Sequence, residues 1–165
     1  MVEARAGRTL VLGVGNLERG DDAAGRAAAR ALRGLLPAHV EVAEAEGEAT
    51  DILSRIDSAG EAIIIDACAS GAAAGTIHRF DVSAAPLPQA AFGVSTHGFG
   101  LNEAIELARA LGQLPGRCLV YAIEGAGFET GAPLSSAAAA AVSQVAERLR
   151  VELGGGEDQR GGTDA

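Results

Sequence analysis

A chain of 165 residues with 48% hydrophobic content reads as one globular domain that can bury roughly two-thirds of its unfolded surface. Its formal charge of −9 argues against nucleic acid and anionic membrane as partners. All 13 basic residues are arginine, and the lack of lysine excludes Walker-type phosphate binding, Schiff-base chemistry and serine–lysine dyads.

The apolar run Leu10-Val11-Leu12 predicts a buried strand over residues 9–15, which enters the glycine turn Gly13-Val14-Gly15-Asn16. The Ala-rich stretch 23–36 predicts a helix with Ala24, Ala27, Ala28, Ala31, Leu32 and Leu35 on its apolar face. A strand passing through a tight turn into a helix is where open α/β sheets place their ligand sites. A dinucleotide site would let helix N–H groups meet a pyrophosphate there. This chain instead puts Asp21 and Asp22 at the helix start, ahead of Gly25. Such a turn suits a cation or acid chemistry and repels phosphate.

Residues 40–45 alternate apolar and acidic as a second strand, and 50–56 form a short helix. Residues 62–67, centred on Ile63-Ile64-Ile65, read as a strand buried on both faces. The more polar strand 75–82, with Thr76, His78, Arg79 and Asp81, reads as a sheet edge, and Pro86 and Pro88 mark a loop. A helix over 101–111 is closed by Gly112, and 118–123 form another central strand. Ser135 or Ser136 caps a last helix running to about Leu153. The class is α/β, with helices on both faces of a mostly parallel sheet. One domain is expected over 1–153, and a glycine-rich, charged, disordered tail over 154–165.

The run from Thr9 to Val14 is too short for a signal segment and no stretch approaches transmembrane length, so a cytoplasmic protein with reduced thiols is expected. Cys68 and Cys118 are too few and too far apart for a zinc knuckle or a disulfide framework, and Cys68 reads as a small buried thiol.

Three segments besides the first turn end on chemistry-bearing side chains. Asp66 closes the triple-isoleucine strand, His97 precedes the helix at 101–111, and Glu124 ends the last strand. In a parallel sheet the C-terminal strand ends open on one crevice, so Asp22, Asp66 and His97 can converge. Two carboxylates and one imidazole would leave coordination positions open, as in a catalytic or transient metal site. The residues alone leave other roles open. Asp21 and Asp22 also suit helix caps, Asp66 a partner for loop amides, and His97 a surface position. Glu124 reads as a supporting group, and His39 and His78 as structural or solvated because neither lies at a C-terminal strand end.

Taken in order, Leu12-Gly13-Val14-Gly15-Asn16 with Asp21-Asp22 and Gly25, Ile65-Asp66-Ala67 with Gly71 and Gly75-Thr76, Ser95-Thr96-His97-Gly98 with Leu101, and Ile123-Glu124-Gly125 with Pro133-Leu134-Ser135 form a specific pattern. The chain resembles the maturation proteases of NiFe hydrogenases over about residues 9 to 150. The resemblance implies a three-layer α/β/α fold around a five-stranded, mostly parallel sheet with one antiparallel strand. It also implies removal of a C-terminal peptide from the hydrogenase large-subunit precursor after nickel insertion. Asp22, Asp66 and His97 fall on the family's nickel-binding and catalytic positions, with the nickel supplied by the precursor. One departure is the turn Glu46-Gly47-Glu48-Ala49-Thr50, where many members are rich in Gly and Thr. The alternatives are a non-enzymatic, nickel-recognising assembly chaperone and a nucleotide-binding α/β domain. Asp21, Asp22 and the missing lysine weigh against the second.

Overall fold

The structure, a computed structural model, describes residues 7–88 and 98–154. His97 and the tail expected to be disordered, beyond Gly154, lie outside the described residues. Five strands, β1 (Thr9–Val14), β2 (Val40–Ala45), β3 (Glu61–Cys68), β4 (Ile77–Asp81) and β5 (Arg117–Glu124), form one sheet in the order β2-β1-β3-β5-β4. The first four in that order are parallel, and β4 runs antiparallel along the edge of β5. The expected architecture, a mostly parallel sheet with one antiparallel strand and helices on both faces, is therefore present.

The helices are α1 (Ala24–Leu32), α2 (Ala49–Asp57), α3 (Gly98–Ala110) and α4 (Ser136–Gly154), with a 3-10 turn at Gly20–Ala23 leading into α1. Strand alternation divides the core into two halves. Val11, Ile63, Ile65, Leu119, Tyr121 and Ile123 pack beneath α1 and α4. Leu12, Ile64, Cys68, Val120 and Ala122 share the opposite layer with Ile52 and Ile56 of α2 and Leu101 and Ile105 of α3. The interior strands β3 and β5 are apolar on both sides because a helical layer covers each face.

α1 stops earlier than its sequence pattern predicts. Gly34 takes a left-handed φ of 78°, the chain leaves the helix after Leu32, and Leu35 lies 59% exposed instead of in the core. The Ala- and Gly-rich face of α1 lets it settle close to the sheet. A Cβ on Gly25 would stand 2.1 Å from the Ile65 carbonyl oxygen and 2.5 Å from that of Val14. This close approach holds the helix start, with both aspartates, against the ends of β1 and β3. Gly25→Ala should therefore cost about 3 kcal/mol in urea unfolding, at the upper end for overpacking. Gly127→Ala, where nothing lies within 4 Å, should stay within roughly ±0.5 kcal/mol. Equal stability of the two variants would contradict the close-packed helix start.

A second tight approach fixes α3. A Cβ on Gly100 would stand 1.8 Å from the Gly47 carbonyl oxygen, so the start of α3 is seated on the turn after β2.

Candidate functional site

The C-terminal ends of β1, β2, β3 and β5 open on one side of the sheet, as their shared direction requires. Asp22 sits in the 3-10 turn after β1 and is 2% exposed, and the Asn16 amide donates to its Oδ2 at 2.9 Å. Asp66 lies near the end of β3, fully buried, on the strand face shared by Ile64 and Cys68. Its Oδ1 accepts the Ala67 amide at 2.8 Å, while Oδ2 has no hydrogen-bond partner among the described residues. Burial, and then the negative charge of Asp22, push the Asp66 carboxyl well above the usual aspartate range. The structure thus brings Asp22 and Asp66 into electrostatic contact. His97, the third residue singled out in the sequence, lies outside the described residues, immediately ahead of α3.

The adjacent Asp21 has a different task. Its carboxylate accepts the Ala126 amide, the Ser135 amide and the Ser135 hydroxyl, each at 2.7 Å, and so ties the helix start to the chain between β5 and α4. Ser135 in turn caps α4 by accepting the Ala138 amide at 3.2 Å. Burial acts to raise the Asp21 carboxyl, but the Ser135 and Ala126 amides outweigh it and hold the group below its ordinary value of 3.8. A depressed folded pKa contributes stability that is present above the ordinary value and lost as pH falls through the lowered one. Asp21→Asn sets an amide donor against these donors and should cost about 3 kcal/mol at neutral pH. Melts in acid should show the difference from wild type narrowing. A loss that stays constant down to strongly acidic pH would contradict this role for the charge.

Glu124, expected as a supporting group, is buried at the end of β5. The Ser70 amide donates to its two oxygens at 3.1 and 3.2 Å, the Ser70 hydroxyl donates to Oε1, and His78 Nε2 lies 3.0 Å from Oε1. Sequence reasoning set His78 aside because it does not end a strand. The antiparallel direction of β4 puts its beginning, not its end, beside the C-terminal end of β5, with His78 paired to Ala122. The polar character of residues 75–82 marks an edge strand and leaves its direction open. Cys68 and Cys118 are buried and unlinked, as expected of small core thiols, and burial above all pushes Cys118 up to about 12.

Next to Asp22, residues Asn16, Leu17, Glu18, Arg26, Glu46 and Glu48 line an open cleft of about 590 Å³. The atypical turn after β2 therefore forms one wall of that cleft.

A family model described as hydrogenase maturation protease (HycI) matches residues 28–151, a stretch that includes Asp66 and His97 and begins after Asp22. This chain belongs to the hydrogenase maturation protease family. The hydrogenase expression/formation protein HupD of Thiocapsa roseopersicina is 28% identical over 117 residues, which cover 70% of this chain and 53% of HupD. The chain thus spans about half the length of that relative. Among solved structures, the hydrogenase maturating endopeptidase HybD from E. coli is 28% identical with a TM-score of 0.69, covering 88% of this chain and 93% of HybD. The family fold extends to HycI from Thermococcus kodakarensis, at 22% identity and a TM-score of 0.72, covering 89% of this chain and 92% of that one. An E. coli endopeptidase studied in solution shares the fold at 24% identity and a TM-score of 0.77, with coverages of 88% and 92%. Among the described residues of this family member, no helix is long and apolar enough to cross a membrane.

Proposed function

We propose that this chain is an endopeptidase that removes the C-terminal extension of a NiFe hydrogenase large-subunit precursor once nickel has been inserted, acting in the cytoplasm. The observation that carries the reading is the buried Asp66 carboxyl beside Asp22, in a chain of this family. Two neighbouring acid groups that repel each other in a dry setting gain most when a cation lies between them. Asp22, Asp66 and His97 form a hard-to-borderline donor set with open positions, which suits brief contact with nickel held mainly by the precursor's own ligands.

The chain's residues then divide the work. The Asn16 amide orients Asp22 through Oδ2, and the Ala67 amide orients Asp66 through Oδ1. Asp66, its carboxyl pushed upward by burial and by Asp22, would release any proton it holds to solvent when a cation lies beside it. Asp21 takes no part in the contact and holds the turn that presents Asp22. The cleft lined by Glu18, Glu46 and Glu48 beside Asp22 receives the precursor segment that carries the cleavage point. The nickel of the substrate would supply Lewis acidity there, polarising the scissile carbonyl or activating a water.

The test is incubation of the purified protein with nickel-loaded precursor, followed by the mass of the large subunit. Loss of the C-terminal extension is the expected result. A precursor that is bound but stays at full mass would overturn the protease reading in favour of an assembly chaperone.

A further inference from the structure

Beside the two aspartates, three neighbouring strands bring a second set of donor side chains together. Cys68 ends β3, Glu124 ends β5 opposite it in register, and His78 is the second residue of β4. The Cys68 sulfur, a ring nitrogen of His78 and a carboxylate oxygen of Glu124 all lie within 4.8 Å of one another. We propose that Cys68, His78 and Glu124 form a binding site for a divalent transition metal of the zinc and nickel type, belonging to this chain and independent of any ion its substrate brings.

The backbone around the three donors is fixed before any ion arrives. The Gly125 amide donates to the Cys68 carbonyl at 3.0 Å, the Glu124 amide to the Thr76 carbonyl at 2.9 Å, and the Gly75 amide to the Glu124 carbonyl at 2.8 Å. The His78 ring stacks on Phe80 with planes 10° apart, which limits its rotation. Ser70 donates its amide and hydroxyl to Glu124 and so orients the carboxylate, as supporting groups around metal ligands do. A tetrahedral zinc site sets its donors roughly 3.5 Å apart, so small side-chain rotations complete this one.

The donor types choose the metal. Thiolate, imidazole and carboxylate suit zinc, nickel or cobalt, whereas calcium and magnesium favour all-oxygen shells. Three protein donors leave a fourth position open, and the partly exposed His78 gives an ion a way in from solvent. A cysteine thiol carries its proton near neutral pH. On binding, the sulfur electron pair passes to the ion, the S–H bond breaks and one proton leaves to the buffer. The proton that His78 Nε2 donates to Glu124 passes through solvent to Nδ1, which frees the Nε2 lone pair for the metal, and Glu124 keeps its Ser70 contacts.

The experiment is titration of the metal-stripped full chain with cobalt(II) near neutral pH, followed by the near-ultraviolet thiolate-to-cobalt charge-transfer band and by proton release. Wild type should bind one ion with that band and release about one proton per ion. The band should persist in the Asp22→Asn/Asp66→Asn double variant and vanish in Cys68→Ser. Cys68 is buried, so His78→Gln on the edge strand serves as the variant least able to disturb the fold. It should weaken binding by at least roughly tenfold. No thiolate band in wild type, an unchanged affinity in His78→Gln, or loss of the band in the double aspartate variant would overturn the site. None of these outcomes bears on precursor cleavage, so the two readings fail separately.

Discussion

Asp66→Asn is expected to raise the stability of the metal-free protein while it abolishes processing. The Asp66 carboxyl is fully buried and pushed upward by burial and by Asp22. Below the ordinary aspartate value of 3.8 both folded and unfolded chains carry the proton, and the group has no effect on stability. As pH rises above that value the unfolded chain ionises while the folded protein retains the proton. Stability then falls by about 1.4 kcal/mol per pH unit until the raised pKa is reached. Asparagine keeps an oxygen for the Ala67 amide and has no proton to lose. At neutral pH the variant should therefore be more stable than wild type and melt at a higher temperature. The gain should vanish near pH 4, measured by thermal melts in the presence of chelator. Cleavage of nickel-loaded precursor by the same variant should fall by at least about 100-fold, because a charge aimed at the cation is gone. A variant less stable than wild type at neutral pH, or one that still processes, would sink the role given to Asp66.

The second large effect is dependence on the metal state of the substrate. Two carboxylates and an imidazole, without a thiolate, make a weak and open set for a transition ion. Metal-stripped protein should therefore leave nickel-free precursor uncut even in excess and convert nickel-loaded precursor fully, as read from the mass of the large subunit. His97→Ala should leave both precursors uncut. Equal cleavage of nickel-free and nickel-loaded precursor would point to a conventional protease with its own catalytic metal. Processing would then not act as a checkpoint on assembly.

Most of the sheet was legible because its interior strands carry a strong local signal. Ile63-Ile64-Ile65 and the run from Cys118 to Ile123 are apolar without interruption, which only burial on both faces explains. The end of α1 was misread because Leu35 continues the helical apolar period. Arg33 leaves the helical conformation with ψ 128°, and Gly34, at a φ of 78° that glycine adopts most easily, completes a turn that carries Leu35 away from the core. Periodicity describes what a helix would bury if it continued. Whether it continues depends on the turn that follows.

At the candidate site, the sequence by itself determined which residue types stand at the strand ends and, through their order, the family and its fold. Residue chemistry alone does not divide labour between Asp21 and Asp22, which are adjacent and identical, and only the family pattern singles out Asp22. What holds Asp21 became visible only with β5 and α4 beside the turn. Ala126 and Ser135, more than a hundred residues away in the chain, saturate the Asp21 carboxylate with donors, while Asp22 is left beside the charge-sensitive Asp66. Likewise nothing local to His78, Cys68 or Glu124 announces that they meet. Their meeting follows from β4 running against its neighbours. Strand direction is set by the length and path of the connection and by the edge position it leaves open, and side-chain patterning does not encode it.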